Sequence, residues 1–194
     1  VIFLSKGELQ NPLFDKETLE NKVTLRDSAI RTTDVNGDGL LEIPIAKELS
    51  NADITSTEKI NYTSWCSYNG ESFTEMKLSV INTLDGYRID IPTKWFGKIA
   101  VWKNTEKRER VVYNYLSETT AEGETKVIGH EIVTLKAVTP SEFKSGRGFD
   151  KEKALEIASS EQFVYLAFIP EKQEGTLKIT QKELKEMIVP IQIQ

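Results

Sequence analysis

The residues best spaced for chemistry lie in one acidic loop, Asp34-Val35-Asn36-Gly37-Asp38-Gly39-Leu40-Leu41-Glu42. Oxygen-bearing side chains stand at its first, third, fifth and ninth positions (Asp34, Asn36, Asp38, Glu42). Gly39 occupies the sixth, where the chain must turn sharply, and Leu40 at the seventh can offer its carbonyl. Calcium takes six to eight hard oxygens at ~2.3–2.6 Å, and this spacing wraps them around one centre. Three carboxylates so close repel one another, so a cation should tighten the loop. The expected affinity is weak, on the order of 0.1–1 mM, as in extracellular modules. An EF-hand would add a bidentate Glu at position twelve, but Ile45 stands there. The competing reading is an Asn-Gly/Asp-Gly turn whose carboxylates are merely solvated.

Other reactive residues carry less. Cys66 and His130 are the single cysteine and single histidine, which excludes nearly all zinc sites, internal disulfides and iron–sulfur clusters within one chain. As a nucleophile–base pair they lack a recognisable elbow or third orienting group, so no catalytic residue is expected. The tryptophans Trp65, Trp95 and Trp102 and the tyrosines Tyr62, Tyr68, Tyr87, Tyr113 and Tyr115 could stack on a sugar or peptide. They fall in or beside expected strands, where core and cross-strand packing is the better account. Lys103, Lys107, Arg108 and Arg110 alternate with Glu106 and Glu109, as expected of a solvated hairpin tip. Asn61-Tyr62-Thr63 matches the glycosylation pattern, which is too short to carry a secretory reading.

The elements that position these residues can be read from periodicity. Val1–Leu4, Lys22–Arg26 and Leu40–Ala46 are expected as strands, with turns at Ser5-Lys6-Gly7 and Asn11-Pro12. The polar stretch 48–58 is expected as the boundary between a β-rich segment (1–50) and a larger domain (60–194). Strands are then expected over 60–68, 74–82, 87–91, 98–103, 111–116 and 131–138. The apolar run 162–169 should be a central strand covered on both faces. Capping boxes at Thr139-Pro140-Ser141-Glu142 and Thr180-Gln181-Lys182-Glu183 predict short helices, the second ended by Pro190. Asp150 is expected to cap a third helix over 151–159. The late helices, segregated from the strands, predict an α+β fold dominated by antiparallel sheet.

The loop and the strand after it resemble the calcium loops of FG-GAP (VCBS, integrin-α-like) repeats over about residues 30–46. That resemblance implies Asp34, Asn36, Asp38 and Glu42, with the Leu40 carbonyl, as the ligands of a structural Ca2+. It also implies a last propeller blade or a solitary loop. Further on, Asp85-Gly86-Tyr87-Arg88-Ile89-Asp90-Ile91-Pro92-Thr93-Lys94-Trp95 resembles the entry of PsbP-like domains in surface lipoproteins of Gram-positive bacteria. This likeness covers about 73–192 and implies an exported, cell-surface protein without shared catalytic residues.

Whole-chain arithmetic bounds the rest. The 194 residues carry 25 basic and 30 acidic side chains, a net charge of -5, which disfavours nucleic acid as a partner. Residues 1–60 hold 7 basic and 11 acidic side chains, a balance of -4, so the acidity is mostly N-terminal. Charges interrupt every apolar run short of the ~18 residues a membrane span needs. The opening Val1-Ile2-Phe3-Leu4 has no initiator Met, so a processed product is expected, with any lipid anchor on a removed segment. The expected function is a non-enzymatic exported module that holds Ca2+ structurally and binds an envelope protein or glycan. The alternative is an accessory or catalytic domain acting on cell-wall glycan or peptide.

Overall fold

The computed structural model describes residues 3–11, 17, 30–49, 60–120, 123–173 and 175–191. The expected strand at Lys22–Arg26 and the boundary stretch from Ser50 to Glu58 lie outside these residues. The chain forms two compact units, one made of residues 1–47 and 61–79, the other of 48–60 and 80–194. Antiparallel strands dominate, and the two α-helices among the described residues come late, as an α+β fold requires.

In the first unit, β1 (Phe3–Ser5) and β2 (Glu8–Gln10) form a hairpin. Lys6 (φ 51°) and Gly7 (φ 83°) make its two-residue turn, both left-handed, as the twist of a tight hairpin demands. Next come β3 (Ile43–Leu49), β4 (Ile60–Tyr68) and β5 (Phe73–Asn82), neighbours in that order. β4 and β5 are antiparallel, with a bulge between Trp65 and Cys66. The unit's interior receives Ile43, Tyr62, Trp65, Cys66 and Leu78. The Trp65 indole N–H donates to Ser79 Oγ at 3.0 Å, so the ring is buried without stranding its donor.

In the second unit, β6 (Tyr87–Asp90) pairs with β12 (Ile188–Pro190). A five-stranded sheet runs in the order β10 (Leu155–Ser159), β11 (Val164–Phe168), β9 (Gly123–Val138), β8 (Glu109–Thr120), β7 (Ile99–Asn104). β11 lies inside the sheet, and Val164, Tyr165, Leu166 and Ala167 are all buried, so both its faces are covered. Trp95 is 0% exposed and donates its indole N–H to the Leu177 carbonyl at 3.1 Å.

Helices α1 (Pro140–Ser145) and α2 (Gln181–Met187) carry complete capping boxes from Thr139/Glu142 and Thr180/Glu183. Gly146 ends α1 in the left-handed conformation (φ 69°), which glycine reaches at no steric cost.

Two expectations are corrected. Residues 151–159 do not form a helix. Asp150 makes a single turn, accepting from Glu152 N at 3.0 Å through its side chain and from Ala154 N at 3.0 Å through its carbonyl. The chain then enters β10, antiparallel to β11 with a register shift between Glu156 and Ala158. A strand with one bulge mimics helical apolar spacing, and cross-strand pairing overrides the local preference. Nor does Pro190 stop α2. The helix ends at Met187, and Ile188 turns straight into β12, whose Pro190 sits opposite Tyr87 at a sheet edge that tolerates a missing N–H.

Candidate metal loop

The acidic loop belongs to the first unit and is closed at its base by a bridge between Thr33 and Glu42. Glu42 N donates to Thr33 O at 3.0 Å, and Thr33 N to Glu42 O at 3.3 Å. Inside this closure Val35 is the anchor, 6% exposed and held at both ends. Its N–H donates to Glu42 Oε2 at 2.8 Å, and its carbonyl accepts from Lys77 Nζ on β5 at 2.7 Å.

The remaining turn is built from side-chain carboxylates and main-chain amides. Asp34 Oδ1 accepts from Asn36 N at 3.3 Å and Gly37 N at 2.6 Å, and its Oδ2 accepts from Gly39 N at 2.9 Å. Those amides, Gly39 first and Gly37 next, hold the Asp34 pKa below its ordinary value of 3.8. Asn36 Oδ1 accepts from Asp38 N at 3.1 Å, while its Nδ2 donates to Asp38 Oδ2 at 2.9 Å. Asp38 Oδ1 accepts from Leu40 N at 2.8 Å. Gly37 and Gly39 both have φ near +80°, a conformation side-chain-bearing residues rarely adopt, so the glycines are what let the loop turn. The Leu40 and Leu41 side chains are each 65% exposed.

All five expected ligands therefore share one short loop, but they do not all converge. Among the described residues, no three of His, Cys, Asp and Glu draw together as a metal cluster. Asp34 and Asp38 face loop amides, and Glu42 turns to the Val35 N–H. The singular feature is Glu42 itself. It is 0% exposed, and its Oε1 is buried with no hydrogen-bond partner. An unpaired carboxylate oxygen costs several kcal/mol of lost hydration in an apolar setting, on the order of the penalty for any buried ion. A hard cation is the partner that this donor set, all oxygen and rich in carboxylate, would accept.

A hydrogen-bonded chain in the same unit has no local sequence signal. Ser64 Oγ donates to Glu75 Oε2 at 2.6 Å, and Lys47 pairs with the same carboxylate. Burial raises the Glu75 pKa, but the Lys47 and Ser64 bonds outweigh it and the net shift is downward. Its members come from β3, β4 and β5, brought together by strand pairing alone.

Cys66 is buried, its thiol against Ser64, whereas His130 is exposed and belongs to the other unit. Of the aromatic residues, Trp65, Trp95, Tyr62 and Tyr87 are buried as core, and Trp102, Tyr68 and Tyr113 are half-buried. Burial pushes the Tyr62 and Tyr87 hydroxyls up to about 12. Thr63 of the glycosylation pattern is buried within β4.

The basic hairpin tip is only partly solvated, which corrects the expectation. Arg110 is 6% exposed and donates to the Glu109 carbonyl. Arg108 grips both Glu142 oxygens, at 2.8 and 2.6 Å, and lies 5.6 Å over the Phe163 ring. No helix among the described residues is long and apolar enough to cross a membrane. No known protein family, curated protein or solved structure matches the chain.

Proposed function

We propose that this chain is a non-enzymatic, exported cell-surface module whose acidic loop holds Ca2+ as a structural ion. The carrying observation is the fully buried Glu42 with its unpartnered Oε1, at the ninth position of a loop whose other oxygens come from Asp34, Asn36 and Asp38. Those four side chains and the Leu40 carbonyl would hold the ion, whose chemistry there is charge neutralisation, not reaction. Binding would draw Asp34, Asp38 and Glu42 together and fix the entry into β3. A weak site, on the order of 0.1–1 mM, is filled where calcium is millimolar, outside the cell. The second unit would then present a binding face to an envelope protein or glycan.

Titration calorimetry and thermal melting test the reading, with wild type compared against Asp38→Ala. Wild type should release or absorb heat with a midpoint near millimolar calcium. At ten times the dissociation constant it should gain about 1.4 kcal/mol of stability by mass action. Asp38→Ala should show neither. A wild-type protein without calcium-dependent heat or melting shift at several millimolar would refute the site.

A further inference from the structure

The chain contains two Asn–Gly pairs, Asn36-Gly37 in the acidic loop and Asn69-Gly70 in the turn between β4 and β5. Both lie in the first unit, and both asparagines are exposed. An asparagine followed by glycine is open to one spontaneous reaction. The glycine amide nitrogen attacks the side-chain carbonyl carbon, a C–N bond forms, and ammonia leaves. Water then opens the cyclic imide at either carbonyl, giving aspartate or isoaspartate. Glycine favours this because no Cβ hinders its nitrogen. A Cβ built on either Gly37 or Gly70 would meet nothing within 4 Å, so neither glycine is crowded by its surroundings.

The two pairs differ in what holds the reacting atoms. In the acidic loop the nucleophile is tied down, since Gly37 N donates to Asp34 Oδ1 at 2.6 Å. The leaving nitrogen is tied as well, with Asn36 Nδ2 donating to Asp38 Oδ2 at 2.9 Å. Attack there must first break a charge-assisted hydrogen bond, the stronger kind. In the β4–β5 turn, Gly70 N has no hydrogen bond among the described residues. The reacting carbonyl there is more strongly activated, because Glu71 N and Ser72 N both donate to Asn69 Oδ1, at 2.9 and 2.8 Å, whereas Asn36 Oδ1 accepts only from Asp38 N, at 3.1 Å. Two N–H donors on that oxygen stabilise the negative charge it takes up when the carbon is attacked. The turn is kept in place by Asn69 N to Ser72 O at 3.3 Å and Tyr68 Oη to Gly70 O at 2.9 Å.

We propose that Asn69-Gly70 is a site of spontaneous deamidation in the folded protein, and that Asn36-Gly37 is its restrained counterpart, protected by Asp34 and Asp38. The consequences differ too. Isoaspartate at 69 lengthens the main chain by one carbon inside a short turn. A carboxylate at 36 replaces a donor to Asp38 by a repelling oxygen, leaving the loop more dependent on a cation.

The test is incubation of the full chain at mildly alkaline pH, followed by peptide mass mapping of both positions over time. Asn69 should convert several-fold faster than Asn36 in the native protein, and the two rates should become equal in urea. Asp34→Ala should raise the rate at Asn36 several-fold and leave Asn69 unchanged. Native rates that are equal, or faster at Asn36, would overturn the proposal, as would a rate ratio that survives unfolding. The wild-type comparison of native with unfolded protein decides the matter even if the Asp34 variant folds poorly.

Discussion

Glu42 in the first unit and Glu183 in the second both fold back onto a main-chain N–H, yet one is left incomplete and the other is saturated. Glu183 Oε2 accepts from Thr180 N at 2.8 Å and Thr180 Oγ1 at 2.9 Å, and its Oε1 accepts from Lys94 Nζ at 2.6 Å. Glu142 is filled in the same way by Thr139 and Arg108. Glu42 has only Val35 N on Oε2, with Oε1 buried and bare. The saturated carboxylates are part-exposed and organise helix starts. The unsaturated one is wholly buried and closes a loop. Carboxylates are completed by Thr, Lys and Arg at both helix starts and left open at Glu42, which is why the proposed Ca2+ is placed there.

The largest effect expected from this contrast is in the second unit, at the fully buried Trp95. Trp95→Ala should cost about 3–5 kcal/mol, by loss of a fully buried aromatic side chain and the cavity left behind. The Leu177 carbonyl would also lose its indole donor. Denaturant unfolding should show the same loss with and without calcium. A loss that calcium restores would break the contrast.

Glu42→Gln probes the incomplete site itself. An uncharged amide is cheaper to bury without a partner than an anion. The variant should therefore be more stable than wild type in chelator, by about 1 kcal/mol, on the same reasoning that applies to unpaired buried charges. With millimolar calcium the order should reverse, because wild type gains and the variant does not. Melting curves in chelator and in calcium provide the check, and curves that never cross would contradict the proposed role of Glu42.

The sequence told much about this contrast, but unevenly. Both capping boxes were legible because Thr and Glu three residues apart satisfy each other locally. The loop was legible for the same reason, as spacing within nine residues. Glu42 could be assigned its ninth position, but its burial could not, because that depends on Val35 being anchored from β5 by Lys77, 42 residues away. The Lys47–Glu75–Ser64 chain was invisible for the same reason. The mistaken helix over 151–159 shows the opposite failure. A local pattern of Ala154, Leu155, Ile157 and Ala158 fits a helix face and a bulged strand equally, and only pairing with β11 decides. Arg110 likewise looked like a surface charge because burial of a long side chain leaves no mark on composition.

A smaller effect follows from the saturated side. The Lys94 bond first, and the Thr180 backbone and hydroxyl next, depress the Glu183 pKa from 4.5 to about 2. A depressed acid contributes stability above its unfolded pKa and loses it as pH falls toward the folded one. The capping contribution should thus be complete above pH 4.5 and fade between there and about 2. Thr180→Ala should cost about 1 kcal/mol at neutral pH, the usual worth of an N-cap. Its gap from wild type, read from melting at successive pH values, should narrow across that acidic interval.

The last effect is one of opposite signs. Tyr62 in the first unit and Tyr165 in the second are both buried, at 8% and 2% exposure. Tyr165 Oη reaches the carbonyls of Asp85 at 2.9 Å and Gly86 at 2.8 Å, whereas Tyr62 Oη is buried without a partner. Burial pushes the Tyr62 hydroxyl up to about 12, so it stays protonated at all ordinary pH values and its effect is not one of charge. Removing an unpartnered hydroxyl returns the desolvation it costs, while removing a bonded one strands its acceptors. Tyr62→Phe should therefore be neutral or stabilising by up to about 1 kcal/mol, and Tyr165→Phe destabilising by about 0.5–1.5 kcal/mol. The pair differs by the same two atoms, so cavity and rotamer terms largely cancel in the comparison. If both substitutions destabilise equally under urea unfolding, a bare buried oxygen carries no cost in this unit, and the same argument for the bare Oε1 of Glu42 fails with it.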